Sequence, residues 1–239
     1  GDRLMASIPF AGRYRIIDFL LSSMANCGIS DIAIVVRENY HSLMDHLGSG
    51  REWDLLRKNG GLSIFPPYAE KNMKVYSGRV QALESILPFL KNKKEKYVIM
   101  TDANIAVDFD FGAMLQEHIE SGADVSIAYT EQEIPEELIR AGVHEDMYYT
   151  LCLEDGRVRR IFMNSEEPGI QNLSMNIYIM EREALIEKIH GAFVRGYSYF
   201  ERDILAPRLE KYNIRGYKYD GYYARICGLK SYFDENMKL

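Results

Sequence analysis

The sequence predicts one α/β domain, built on a mixed, mainly parallel sheet with helices on both faces. Three observations carry this. Short apolar runs of strand length alternate with longer stretches whose apolar residues recur at helical spacing. Glycine and proline fall mostly at the ends of these stretches, where they terminate them. Beyond residue 134 the alternation gives way to paired runs around Asp-Gly, which predict antiparallel hairpins. No internal repeat or low-complexity linker divides the 239 residues, so one domain spans residues 1–239.

In chain order, residues 1–15 read as a loop punctuated by Pro9 and Gly12 and made locally basic by Arg3, Arg13 and Arg15. Arg15–Cys27 carries a helical stripe of Ile16, Ile17, Phe19, Leu20, Leu21 and Met24, stopped by Gly28. Asp31–Val36 is a buried strand, and His41–Leu47 is a short helix stopped by Gly48. Leu62–Phe65 is a strand ended by Pro66 and Pro67. Arg79–Leu90 is helical, with Pro88 near its end. The charged run Lys91–Lys96 leads into Tyr97–Met100, too short for a helix and followed by turn-formers, hence a buried central strand. Phe111–Ser121 is a helix ended by Gly122, and Val125–Thr130 the next strand.

Tyr148–Leu153 and Arg157–Met163 predict a hairpin around Asp155-Gly156. Ser174–Met180 is a strand, and Arg182–Ile189 and Phe200–Lys211 are helices. Ile214–Tyr219 and Tyr222–Cys227 predict a second hairpin around Asp220-Gly221, before a closing helix at Ser231–Met237.

Hydrophobic residues make up 47% of the chain, ample for a core. The net charge of -6, without a long basic block, argues against a nucleic-acid surface. An anionic ligand would need local cations rather than a global field. Cys27, Cys152 and Cys227 are far apart and in no metal-ligand spacing, so they read as reduced thiols of a cytoplasmic protein. No signal peptide and no apolar run of membrane-spanning length is present in the sequence, which predicts no membrane partner. His41 and His46 are five apart, not the i, i+4 spacing of helical metal ligands, and read as structural.

Asp102 sits just past the carboxyl end of the central strand, the rim where open α/β sheets bind ligands. A carboxylate there holds a divalent cation and through it a polyphosphate, or it caps a turn.

Several stretches in order along the chain carry a resemblance. They are IPFAGRYRIIDF from Ile8, NLSMNIYIM from Asn172, FERDIL from Phe200 and DGYYARICGLKSYFDENMKL from Asp220. In these the sequence is similar to bacterial glucose-1-phosphate adenylyltransferases. The resemblance implies a Rossmann-like nucleotidyltransferase domain that joins ATP and glucose 1-phosphate into ADP-glucose and pyrophosphate with Mg²⁺. It also implies an N-terminal Gly-rich loop and a C-terminal β-helix domain that this chain does not contain, so a fragment is expected.

Departures from the family pattern fall on the reacting side. The family's Gly-Asp-His after the central strand is here Thr101-Asp102-Ala103. Its Gly-Tyr-Trp-x-Asp-Val is Gly221-Tyr222-Tyr223-Ala224-Arg225-Ile226, so Arg225 replaces a metal carboxylate. A guanidinium is permanently cationic and cannot ligate a metal, so Arg225 would repel Mg²⁺ and could pair with Asp102. The family's Glu-Lys-Pro is Glu166-Glu167-Pro168, and its Tyr-Arg-Gly-Thr-Ala-Asp-Ala is Tyr76-Ser77-Gly78-Arg79-Val80-Gln81-Ala82, where Arg79 and Val80 would crowd the nucleotide site. A Lys of the family's N-terminal loop falls at Met5.

This pattern resembles the family's GlgD-type regulatory subunit. The expectation is a subunit in glycogen biosynthesis with a degraded active site, partnering a catalytic adenylyltransferase subunit in a hetero-oligomer, a tetramer by family, and answering to a phosphorylated sugar effector. Asp102 is then the remnant metal position. Ser174, Tyr76, Gly78 and Asp203 are candidate substrate contacts, and Arg13 and Arg15 are candidate effector contacts or ordinary loop charges. Arg225 is an anion partner or a surface residue. The alternative is an active sugar-phosphate nucleotidyltransferase using Asp102 and Mg²⁺ held mainly by substrate phosphates.

Overall fold

The computed structural model describes residues 9–10, 14–29, 31–35, 47, 61–65, 79–142 and 148–225. The chain divides into two compact units, each drawn from separate stretches of sequence. The first comprises Gly1–Tyr76, Ala103–Gly112 and Gly221–Leu239, and the second Ser77–Asp102 and Ala113–Asp220.

In the first unit, a two-residue ribbon of β1 (Pro9–Phe10) and β2 (Tyr14–Arg15) leads into α1 (Ile16–Asn26). Ile17, Leu20, Leu21 and Met24 are buried, the stripe that their spacing predicts. The helix closes at Gly28, whose φ of +79° suits a residue without Cβ. β3 (Asp31–Val35) runs parallel to β4 (Gly61–Phe65). β6 (Ile105–Val107) pairs antiparallel with β12 (Tyr223–Arg225). Ser23 ties α1 to β6: its hydroxyl donates to the Val107 carbonyl at 3.2 Å and accepts the Phe109 N–H at 3.2 Å.

The second unit opens with α2 (Arg79–Ser85) and α3 (Leu87–Lys91), where the sequence predicts one continuous helix. Pro88 explains the break. It has no N–H to give the Glu84 carbonyl, and its ring clashes with that turn, so the chain restarts with proline in the first turn of α3. β5 (Tyr97–Met100) follows, then α4 (Phe111–Ser121), which spans the boundary between the two units, and β7 (Val125–Glu133). Next come α5 (Glu136–Gly142), β8 (Tyr149–Glu154), β9 (Arg157–Met163) and β10 (Ile170–Glu181). After α6 (Arg182–Val194), residues Phe200–Leu205 form a π-helical turn, Ala206–Arg208 a 3-10 turn, and Ile214–Lys218 forms β11.

The expected continuous helix over Phe200–Lys211 is thus interrupted, and Pro207 is the reason. It cannot donate to the Asp203 carbonyl, which instead accepts from the Arg208 guanidinium at 3.3 Å.

Six strands pair in the order β5-β10-β7-β11-β9-β8, and β8 also meets β10 at Leu173 and Thr150, closing five of them into a ring. The sheet is mixed, as expected, but not mainly parallel: only β11 and β7 run parallel within it. The physical reason is loop length. Asp155-Gly156, with φ of +50° and +79°, turns β8 directly into β9, and a connection that short produces an antiparallel pair. Residues 164–169 then return the chain to β10, which runs antiparallel to β8, β7 and β5.

The second expected hairpin does not form. Both edges of β11 are taken, by β7 and β9, so the strand after Asp220-Gly221 pairs with β6 instead. In β10, Leu173 to Met180 are all buried, as befits a strand flanked on both sides.

Candidate functional site

Two residues past the end of β5, Asp102 receives a donor on each carboxylate oxygen. The Arg79 guanidinium donates to Oδ1 at 2.6 Å, and the Asn176 side-chain amide donates to Oδ2 at 2.8 Å. Arg79 comes from the first position of α2 and Asn176 from the middle of β10, so the junction unites three elements of the second unit.

Asn176 reaches Asp102 because β10 bulges there. Ser174 faces Tyr129 and Tyr178 faces Ile127, so β10 advances four residues while β7 advances two. Asn176 takes the slack in the left-handed region, at φ +55°, where asparagine is among the better tolerated side chains. Ser174 fixes the turn: its hydroxyl accepts the Asn176 N–H at 3.2 Å and donates to Asn176 Oδ1 at 3.3 Å. Ser174 is 1% exposed, so its placement is structural support for Asn176.

A second carboxylate sits behind the first. Glu201, on the π-helical turn, has its Oε1 3.6 Å from Arg79 Nε and accepts the Tyr178 hydroxyl at 2.6 Å. Tyr149 also hydrogen-bonds Glu201, and the Arg79 guanidinium lies 5.3 Å from the centre of the Tyr178 ring. Arg79, Asp102 and Glu201 side chains are 16%, 29% and 6% exposed. Burial alone would lower the Arg79 pKa, but Asp102 and then Glu201 outweigh it and hold the guanidinium firmly charged. Burial, then the neighbouring Glu201, pushes the phenols of Tyr178 and Tyr149 far up, so both remain protonated. The arrangement is one fixed cation between two carboxylates, bounded by two neutral phenols.

Asp203 faces away from this cluster in its bonding. Its Oδ2 accepts the N–H groups of Ser198 and Tyr199 at 3.1 and 3.0 Å, and its Oδ1 accepts from Arg202 at 2.7 Å. The Arg202 bond, and to a lesser degree these backbone donors, lower its pKa. It caps the turn that carries Glu201.

Arg225 lies on β12 opposite Ile105, and Glu167 is exposed with its N–H on the Ser165 hydroxyl at 3.4 Å. Arg15 is the second residue of β2. Tyr76, Gly78, Arg13, Met5, His41, His46 and Cys227 lie outside the described residues, as does the closing helix at 231–237. Cys27 and Cys152 are free thiols. Among the described residues, no three His, Cys, Asp or Glu side chains gather as a metal site, and no helix is long and apolar enough to cross a membrane.

Sequence reasoning found Asp102 but read Arg79 as crowding rather than as its counter-ion, and it passed over Asn176, Tyr178, Tyr149 and Glu201. One signal was available. In SMNIYIM the polar groups of Ser174, Asn176 and Tyr178 alternate within an apolar strand, which puts them on one face by the period of two.

The chain belongs to the nucleotidyl transferase family, whose model matches residues 4–238. Its relatives are narrower in kind. It is 31% identical over its whole length to a glucose-1-phosphate adenylyltransferase of Thermomicrobium roseum, and 30% identical over its whole length to the glycogen biosynthesis protein GlgD of Bacillus subtilis. The chain spans 55% and 57% of the length of those two relatives. Among solved structures, HddC from Yersinia pseudotuberculosis matches the whole chain and 91% of its own, with a TM-score of 0.69 at 16% identity, a likeness of fold alone.

Proposed function

We propose that the chain is the nucleotidyltransferase-like part of a regulatory subunit of glucose-1-phosphate adenylyltransferase in glycogen biosynthesis, with an active site that has lost its metal chemistry. The observation that carries this is the Arg79 guanidinium seated on Asp102. Mg²⁺ prefers anionic and water oxygens in octahedral array, and Asp102 offers it a carboxylate already neutralised by a group that cannot give up its proton. A cation would compete with Arg79 at one carboxylate oxygen and with Asn176 at the other. The residues present therefore fit Mg²⁺ poorly. Arg225 in place of a carboxylate, and Glu167 in place of a phosphate-holding lysine, point the same way. Similarity to GlgD supports the subunit reading, with a catalytic adenylyltransferase subunit as partner. The competing reading, an active enzyme with the metal held mainly by substrate phosphates, draws on the 29% exposure of Asp102.

The deciding experiment assays ADP-glucose synthesis from ATP and glucose 1-phosphate with Mg²⁺, using the full-length protein alone and mixed with the catalytic subunit of its organism. The expected result is no product alone and a changed rate in the mixture. Substantial turnover alone would establish the enzyme reading instead.

A further inference from the structure

We propose that a cleft between α6 and residues 204–212, lined by Lys188, Arg195, Arg208 and Lys211, binds a small phosphorylated anion. It lies wholly within the second unit, and none of the residues of the Arg79 cluster lines it. Its volume is about 260 Å³, and Glu187 is its one acidic residue.

Two of the cations converge on one ring. The Lys188 ammonium sits 4.3 Å from the centre of Tyr212, and the Lys211 ammonium 5.5 Å from the same ring. The Arg208 guanidinium is held in place by the carbonyls of Asp203 and Ile204, at 3.3 and 2.8 Å through one nitrogen. Neutral carbonyls anchor that group without cancelling its charge. Among the described residues, none of the four cations forms an ion pair. Elsewhere on this surface cations do find acids: Arg140 pairs with Glu136, Arg202 with Asp203, and Lys218 with Glu131 and Asp220.

A chain with 35 acidic and 29 basic residues has acids to spare, so four cations gathered around one acid are not a consequence of composition. Like charges brought together in a concave site raise its potential, and an anion relieves the repulsion. Arginine forks and lysine ammonium groups are the donors that suit phosphate oxygens. The volume falls just under the roughly 300–1,000 Å³ of pockets for larger organic ligands, which favours one small phosphate or pyrophosphate compound over a dinucleotide.

Sodium pyrophosphate titrated calorimetrically into the whole chain, with inorganic phosphate as a second probe, tests this. The expected result is one site per chain, weakened several-fold between about 50 and 200 mM salt. Lys188→Gln combined with Lys211→Gln should weaken it about tenfold or more, as loss of two charge-assisted bonds requires. Arg195→Gln, at an exposed residue, serves as an independent second variant and should also weaken it. The melting temperature of each variant checks that it is folded. Absence of binding by both probes at about 10 mM would overturn the proposal, since so weak a site lies beyond even millimolar affinity. Binding that both folded variants leave unchanged would overturn it too, because the anion would then sit elsewhere.

Discussion

Arg79 holds the position that decides what Asp102 can do. Ala103→His, Glu167→Lys and Arg225→Asp together restore family-like residues at three positions but leave the guanidinium in place. That triple variant is expected to remain silent in the ADP-glucose assay. Adding Arg79→Thr frees the carboxylate, and measurable product is expected only then, because groups acting as a unit are non-additive. Activity in the triple variant would mean that Arg79 yields to the metal. A second residue sets a pH response. His118 is buried in α4 with its Nδ1 2.6 Å from the Ser126 hydroxyl and its ring edge-on to Tyr97. Burial lowers its pKa below the ordinary 6.5, against the pull of Glu181 and Asp124. The fold therefore favours the neutral ring. That contribution is complete above pH 6.5 and is lost as pH falls through the lower folded value. The urea midpoint is expected to drop below pH 6.5, and His118→Gln should flatten that drop.

At the scale of elements, the strands were legible and their partners were not. Asp155-Gly156 and Asp220-Gly221 carry the same turn signature, yet only the first joins a hairpin. Periodicity tells a strand which face to bury but not whether its edge is free, and β11 has no free edge. The proline breaks at Pro88 and Pro207 were legible in principle, since each removes a donor inside a stretch read as continuous helix. The bulge in β10 was not, because two extra residues in a ladder leave no mark until the partner strand is known. Close packing on β11 gives a sharp prediction. A Cβ on Gly216 would lie 2.8 Å from the Tyr129 ring and 2.9 Å from Leu153 Cδ2. Gly216→Ala is expected to cost about 1–3 kcal/mol from overpacking, measured by urea unfolding.

Over the whole molecule, the sequence supports the family and the α/β class, while the site needs the fold. Arg79, Asp102, Tyr149, Asn176, Tyr178 and Glu201 come from five separate stretches, and no spacing rule links them. The closure of β8 onto β10 sets Tyr149 beside the strand of Asn176 and Tyr178, while α2, the end of β5 and the π-helical turn supply Arg79, Asp102 and Glu201. A metal ion is a visitor, whose residence depends on its supply and on whatever else competes for it. The Arg79 guanidinium is tethered to the backbone, so its concentration beside Asp102 never changes. Chelators cannot extract it, and magnesium depletion cannot dilute it. The melting temperature is accordingly expected to be the same in excess EDTA and in millimolar magnesium chloride, as measured by calorimetry on the full chain. A rise with magnesium would show the tether giving way. In the expected case, the charge balance beside Asp102 is written in the covalent structure and does not follow the magnesium supply.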